Sequence, residues 1–207
     1  MSHQPRDFEA SHRTGWVRAA RLYSNIVSPP VMFALMGFLL AWYENPNFEG
    51  IKWGFIYGLG VSLAPILIVA YLLYTGYISE LHMSNTRERH IPYSSAVVFA
   101  TLTAIMTRMV GGPELIYCLA IFNAITLAAL GLINIYWLIS IHATAAAAMA
   151  LLMGLVYGPL YGLLLVPVVI SVIVVRLYLR RHTLAQVAAG TGLAVVTVTI
   201  MVLLGCF

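Results

Sequence analysis

Long apolar runs alternate with short polar segments along almost the whole chain. A helix crosses bilayer hydrocarbon with about 20 mostly apolar residues, within a range of about 17–25. The runs near 23–43, 53–77, 93–111, 115–138, 142–158, 160–178 and 183–205 meet that requirement. The fifth and sixth form one apolar stretch, Ala143 to Val175, too long for a single crossing. Gly158-Pro159 interrupts it, because proline lacks the amide donor and clashes with the preceding turn. The pattern therefore predicts a tight hairpin at 158–159. Its halves are short, so six spans with a re-entrant or kinked pair is the alternative to seven.

The fold class predicted is all-α, a polytopic transmembrane helical bundle. Gly54 and Gly58, and Gly154, Gly158 and Gly162, are spaced by four, and 143–149 is almost all alanine. Such small-residue faces let helix backbones approach closely in lipid. They serve packing within the chain or a homo-oligomer interface. Pro65 and Pro167 are expected to kink their helices. Residues 1–22 carry Arg6, Asp7, Glu9, Arg13, Arg18 and Arg21, too polar for a signal-peptide core. They read as a flexible cytoplasmic tail with an amphipathic lead-in, before a single transmembrane domain over 23–207.

Composition sharpens this picture. Charged residues make up 9% of the chain, against about 25% in soluble domains. The net charge of +4 sits at membrane edges, as topology signals do, so no nucleic-acid partner is expected. Cys118 and Cys206 lie in or beside apolar segments and suggest no disulfide framework.

Outside the spans, polar residues collect in three places: Glu80 to Pro92, Ser140-Ile141-His142, and Arg176 to Gln186. Two spans separate the first from the second and two separate the second from the third, so seven crossings bring all three to one membrane face. Arginine offers a planar fork of donors matched to phosphate oxygens and keeps its charge. A neutral imidazole can attack phosphorus while a second protonates the leaving oxygen. His182 and Gln186 are four apart, so the Gln carbonyl is placed to fix the ring tautomer. Each group has a plainer reading. Arg180 and Arg181 suit interfacial anchors, Arg87-Glu88-Arg89 suits a solvated loop, and His90 and His142 suit the interface. A metal site from His82, His142 and His182 has few carboxylates nearby and matches no compact ligand spacing.

Arg176-x5-His182-x3-Gln186-Val187-x2-Gly190 resembles the third signature of the type-two phosphatidic acid phosphatase superfamily, S-R-x5-H-x3-D-V-x2-G. Gln186 in place of aspartate is similar to the dolichyl-diphosphatase-like branch, and Val175 replaces the serine. Ile139-Ser140-Ile141-His142 keeps the serine and histidine of the second signature, P-S-G-H. The first signature, K-x6-R-P, is matched by Arg89, with His82 where the lysine would be and proline delayed to Pro92. The resemblance covers roughly residues 78–192. It implies a phosphatase-like core in which His182 becomes a phosphohistidine and His142 protonates the leaving alkoxide, with Gln186 beside them. Arg176 and Arg89 would hold the phosphate, with Ser140 assisting and His82 or Arg87 standing in for the lysine. No metal or other cofactor is implied.

The expected activity is hydrolysis of a lipid phosphate or isoprenoid diphosphate by an integral membrane enzyme. The alternative is a catalytically silent relative that binds lipid or serves as an accessory subunit of a larger membrane complex. A transporter is disfavoured because no span interior carries an acidic residue. Nine arginines lie on the motif face, against Lys52 and Arg108 on the other. Setting aside Arg87, Arg89 and Arg176 still leaves six against two, so the N-terminus and motif face are predicted to be cytoplasmic, at the plasma (inner) membrane.

Overall fold

A computed structural model of the chain describes residues 5–78 and 86–207. All regular structure among them is helical. The α-helices are α1 (Gly15–Ile26), α2 (Pro29–Glu44), α3 (Phe48–Tyr57), α4 (Ala64–Tyr74), α5 (His90–Met109), α6 (Glu114–Tyr136), α7 (Ile141–Val156), α8 (Pro159–Tyr178) and α9 (Leu184–Leu203). A π-helical turn, Gly58–Leu63, joins α3 to α4 in one helical run.

Five helical runs among the described residues are long and apolar enough to cross a membrane: Gly15–Glu44, Phe48–Tyr74, Glu114–Tyr136, Pro159–Tyr178 and Leu184–Leu203. Two of the seven predicted spans differ. Helix α7 has 16 residues, a rise of about 24 Å against a hydrocarbon core of about 30 Å. Helix α5 has the length, with 20 residues, but includes His90, Arg108 and several serines and threonines.

Local chemistry explains the breaks. The first span, expected over 23–43, is divided: α1 ends at Ile26 and α2 begins at Pro29-Pro30, whose rings exclude continuation of the preceding helix. The Asn47 side chain caps α3 by accepting from the Glu49 amide at 2.8 Å. The hairpin predicted at 158–159 is present. Gly158 has φ +108°, a conformation that L side chains rarely adopt, and Pro159 opens α8 where a missing amide costs nothing.

The chain divides into two compact units. The first comprises residues 1–32 and 139–195, with α1, α7, α8 and most of α9. Its α7–α8 pair is close-packed at glycines: a Cβ on Gly162 would lie 2.9 Å from the Ala150 carbonyl oxygen and 3.0 Å from the Gly154 Cα. The N-terminal stretch, expected to be flexible, is docked within this unit. Asp7 is fully buried, and the Arg6 amide donates to the Leu179 carbonyl at 3.0 Å.

The second unit comprises 33–138 and 196–207. Gly54 lets α3 approach α2, since a Cβ there would lie 2.6 Å from the Phe38 ring. Tyr57, fully buried, is hydrogen-bonded by the Asn123 amide. The Asn134 amide donates to the Tyr93 hydroxyl at 2.9 Å. The Glu44 carboxylate accepts from the Glu114 and Leu115 amides at 2.8 Å each, satisfying two open donors at the start of α6. Cys118 and Cys206, expected to form no disulfide framework, are bonded to each other. Cys118 lies in the second turn of α6 and Cys206 follows α9, and their Cα atoms lie 5.5 Å apart despite 88 residues of separation.

Candidate functional site

The best-matched signature residues come together in the first unit. Arg176 lies in the last turn of α8 and is 5% exposed. Its Nη2 is 3.3 Å from the His182 Nε2. A guanidinium only donates, so this ring nitrogen is the acceptor and holds a lone pair toward the arginine. The neutral tautomer then carries its proton on Nδ1. An unprotonated Nε2 is the form in which a histidine can act as a nucleophile, once the guanidinium turns to another acceptor.

Ser24, in α1, links this pair to the second histidine. Arg176 Nη1 donates to the Ser24 hydroxyl at 3.1 Å. The Ser24 carbonyl oxygen is 3.3 Å from Nε2 of His142, which is 9% exposed. A carbonyl only accepts, so the His142 Nε2 carries a proton. His182 and His142 are thus held in complementary states, one with a lone pair and one with a proton at Nε2, through a shared arginine–serine bridge. Helix α1 is fixed to α8 by a hydrogen bond between Tyr23 and Ser171.

The loop bearing His182 is shaped by charge. The Arg181 amide donates to the Arg176 carbonyl at 3.1 Å and the Arg180 amide to that of Leu177 at 3.0 Å, closing the end of α8. Arg180 accordingly takes φ +54°, a left-handed position usually given to glycine. Arg181, expected as an interfacial anchor, instead points its 5% exposed side chain at Asp7. Its Nε and Nη2 donate to the two carboxylate oxygens at 2.9 Å each. Arg21 joins at 3.5 Å and also donates to the Asp7 carbonyl, as does Arg13. Asp7 therefore clamps the residue next to His182.

Gln186 has a structural job that the spacing to His182 did not suggest. Its side-chain oxygen accepts the Thr183 amide at 2.9 Å, and its own amide donates to the Thr183 hydroxyl at 3.3 Å. This reciprocal pair caps α9, and Arg176, rather than Gln186, faces the His182 Nε2. The Ser140 side chain caps α7, accepting from the Ala143 amide at 3.3 Å. Its backbone amide donates to the Gln186 carbonyl at 3.2 Å, which ties the two histidine-bearing segments. Gly190 permits this approach, because a Cβ there would lie 2.6 Å from the Ser140 carbonyl oxygen.

Arg89 closes the 3-10 turn Thr86–Arg89 in the second unit. His82 and the Arg87 side chain lie outside the described residues. Among the described residues, no group of three or more histidine, cysteine or acidic side chains forms that could hold a metal. Sequence reasoning missed Ser24 and Asp7. Ser24 is one small polar residue near the end of an apolar helix, and Asp7 is an acid in a basic tail whose partner is 174 residues away. No family model, no curated protein and no solved structure matches the chain.

Proposed function

We propose that the protein is an integral-membrane lipid phosphatase acting on a lipid phosphate or isoprenoid diphosphate through a phosphohistidine. The observation that carries this reading is the connected group His182–Arg176–Ser24–His142, with a buried cation between a ring lone pair and a ring proton. In the reaction, Arg176 takes the phosphate oxygens and the His182 Nε2 attacks phosphorus. The bond to the lipid oxygen breaks, and the His142 Nε2 proton goes to that oxygen. Water then hydrolyses the phosphohistidine, releasing phosphate and returning a proton to His142.

The site is proposed to face the cytoplasm. Support comes from the excess of arginine at the motif segments. A second reading, a silent relative that binds lipid or serves a membrane complex, is favoured by Gln186, whose oxygen caps α9 where the family has a carboxylate.

Phosphate release from a panel of prenyl diphosphates and phosphatidate in detergent separates the two. The enzyme reading expects turnover that His182→Ala or Arg176→Ala lowers by about a thousandfold or more. Absence of release by folded protein, with a stoichiometric partner copurifying, selects the second.

A further inference from the structure

A groove of about 430 Å³ runs between α5 and α6 in the second unit, within the range of about 300–1,000 Å³ common for small-molecule sites. None of its lining residues belongs to the histidine–arginine group. Its walls include Thr101, Ile105, Ile121 and Ile125. The Thr101 hydroxyl donates to the Val97 carbonyl at 2.8 Å, so the walls are effectively apolar. Arg108 and Tyr117 also line it. From Thr101 at mid-helix to Arg108 in the last turn of α5 is about 10 Å. The groove is thus apolar toward the middle of the helices and charged at their ends, the polarity of a lipid molecule.

The charged end discriminates among headgroups. Arg108 Nη1 is 3.0 Å from the Glu114 Oε2, and the Arg108 guanidinium lies 5.2 Å from the Tyr117 ring centroid. The two charged side chains are 66% and 60% exposed. Each can make more hydrogen bonds than this one: a guanidinium has five N–H donors and a carboxylate about four acceptor positions. Their charges cancel, so the complement is a zwitterion with an anionic oxygen beside a cationic N–H. A headgroup of net negative charge would meet the Glu114 carboxylate, and a quaternary ammonium has no proton to donate to it.

We propose that this groove binds an aminophospholipid of the phosphatidylethanolamine class. One acyl chain lies between α5 and α6, its phosphate accepts from Arg108, and its primary ammonium donates to Glu114. The site is independent of the phosphatase reading. It is tested by native mass spectrometry of the full chain released from mixed micelles. The micelles hold equal amounts of phosphatidylethanolamine, phosphatidylcholine and phosphatidylglycerol with identical chains. The expected result is retention of the ethanolamine lipid about tenfold over the other two. Arg108→Gln and Glu114→Gln, both at exposed positions, should each bring it down to the choline level. Ala124→Phe, which fills the groove, should lower its retention as well. Equal retention of all three lipids, which marks annular lipid only, would overturn the proposal. So would preference for the glycerol lipid, or an ethanolamine preference unchanged in both charge variants or in the groove-filling variant.

Discussion

In the first unit charged side chains are buried or nearly so near the end of α8: Asp7 with Arg181, and Arg176 beside the neutral His182 ring. In the second unit the buried pair inside the helices is neutral, Tyr57 with Asn123, and the exposed ion pairs lie at helix ends, as Arg108 with Glu114 does. The difference follows from the solvent. A charge at mid-bilayer is expensive, whereas a neutral hydrogen bond there costs little and fixes helix register. Charge can be buried at a helix end where partners meet it, as Asp7 meets Arg181. Such pairing holds side chains in place, which the proposed phosphate site would require and packed spans can do without.

Breaking one member of each set tests the contrast. Asp7→Asn removes the carboxylate that accepts two hydrogen bonds from the nearly buried Arg181. It should destabilise the protein by about 3 kcal/mol, read as a lower thermal midpoint in detergent, and should slow turnover through the His182 loop. Tyr57→Phe should cost about 1 kcal/mol and leave turnover unchanged in the same two assays. A Tyr57→Phe loss as large as that of Asp7→Asn would erase the distinction. The smallest effect has the opposite sign. Arg180→Gly relieves a left-handed position at the end of α8 and should raise stability by about 0.5–1 kcal/mol in the thermal assay.

Much of the helical framework was legible because apolar length and proline–glycine breaks are local signals. Gly158-Pro159 marked its hairpin directly. Arg176, His182 and His142 stood out because they match signatures that the sequence resembles, and the structure brings them together within one unit. Contacts made at long range were not. Ser24 and Asp7 meet partners 152 and 174 residues away, and Cys118 and Cys206 meet across 88; none of these spacings carries a pattern. The cap made by Gln186 was a different kind of miss. Thr183-Leu-Ala-Gln186 is a capping-box sequence, and helix-face spacing to His182 masked it. The docked N-terminal stretch was obscured by its polar composition, which reads as solvated until Asp7 is seen beside two arginines.

The proposed reaction depends most directly on His182 as the nucleophile. Folded protein would be mixed briefly with a lipid monophosphate labelled in its phosphate, quenched in base and digested. Label is expected on a base-stable, acid-labile phosphohistidine at His182, present in the native chain and absent from His182→Ala. Phosphate release that persists in His182→Ala, or label carried by a different residue, would contradict it.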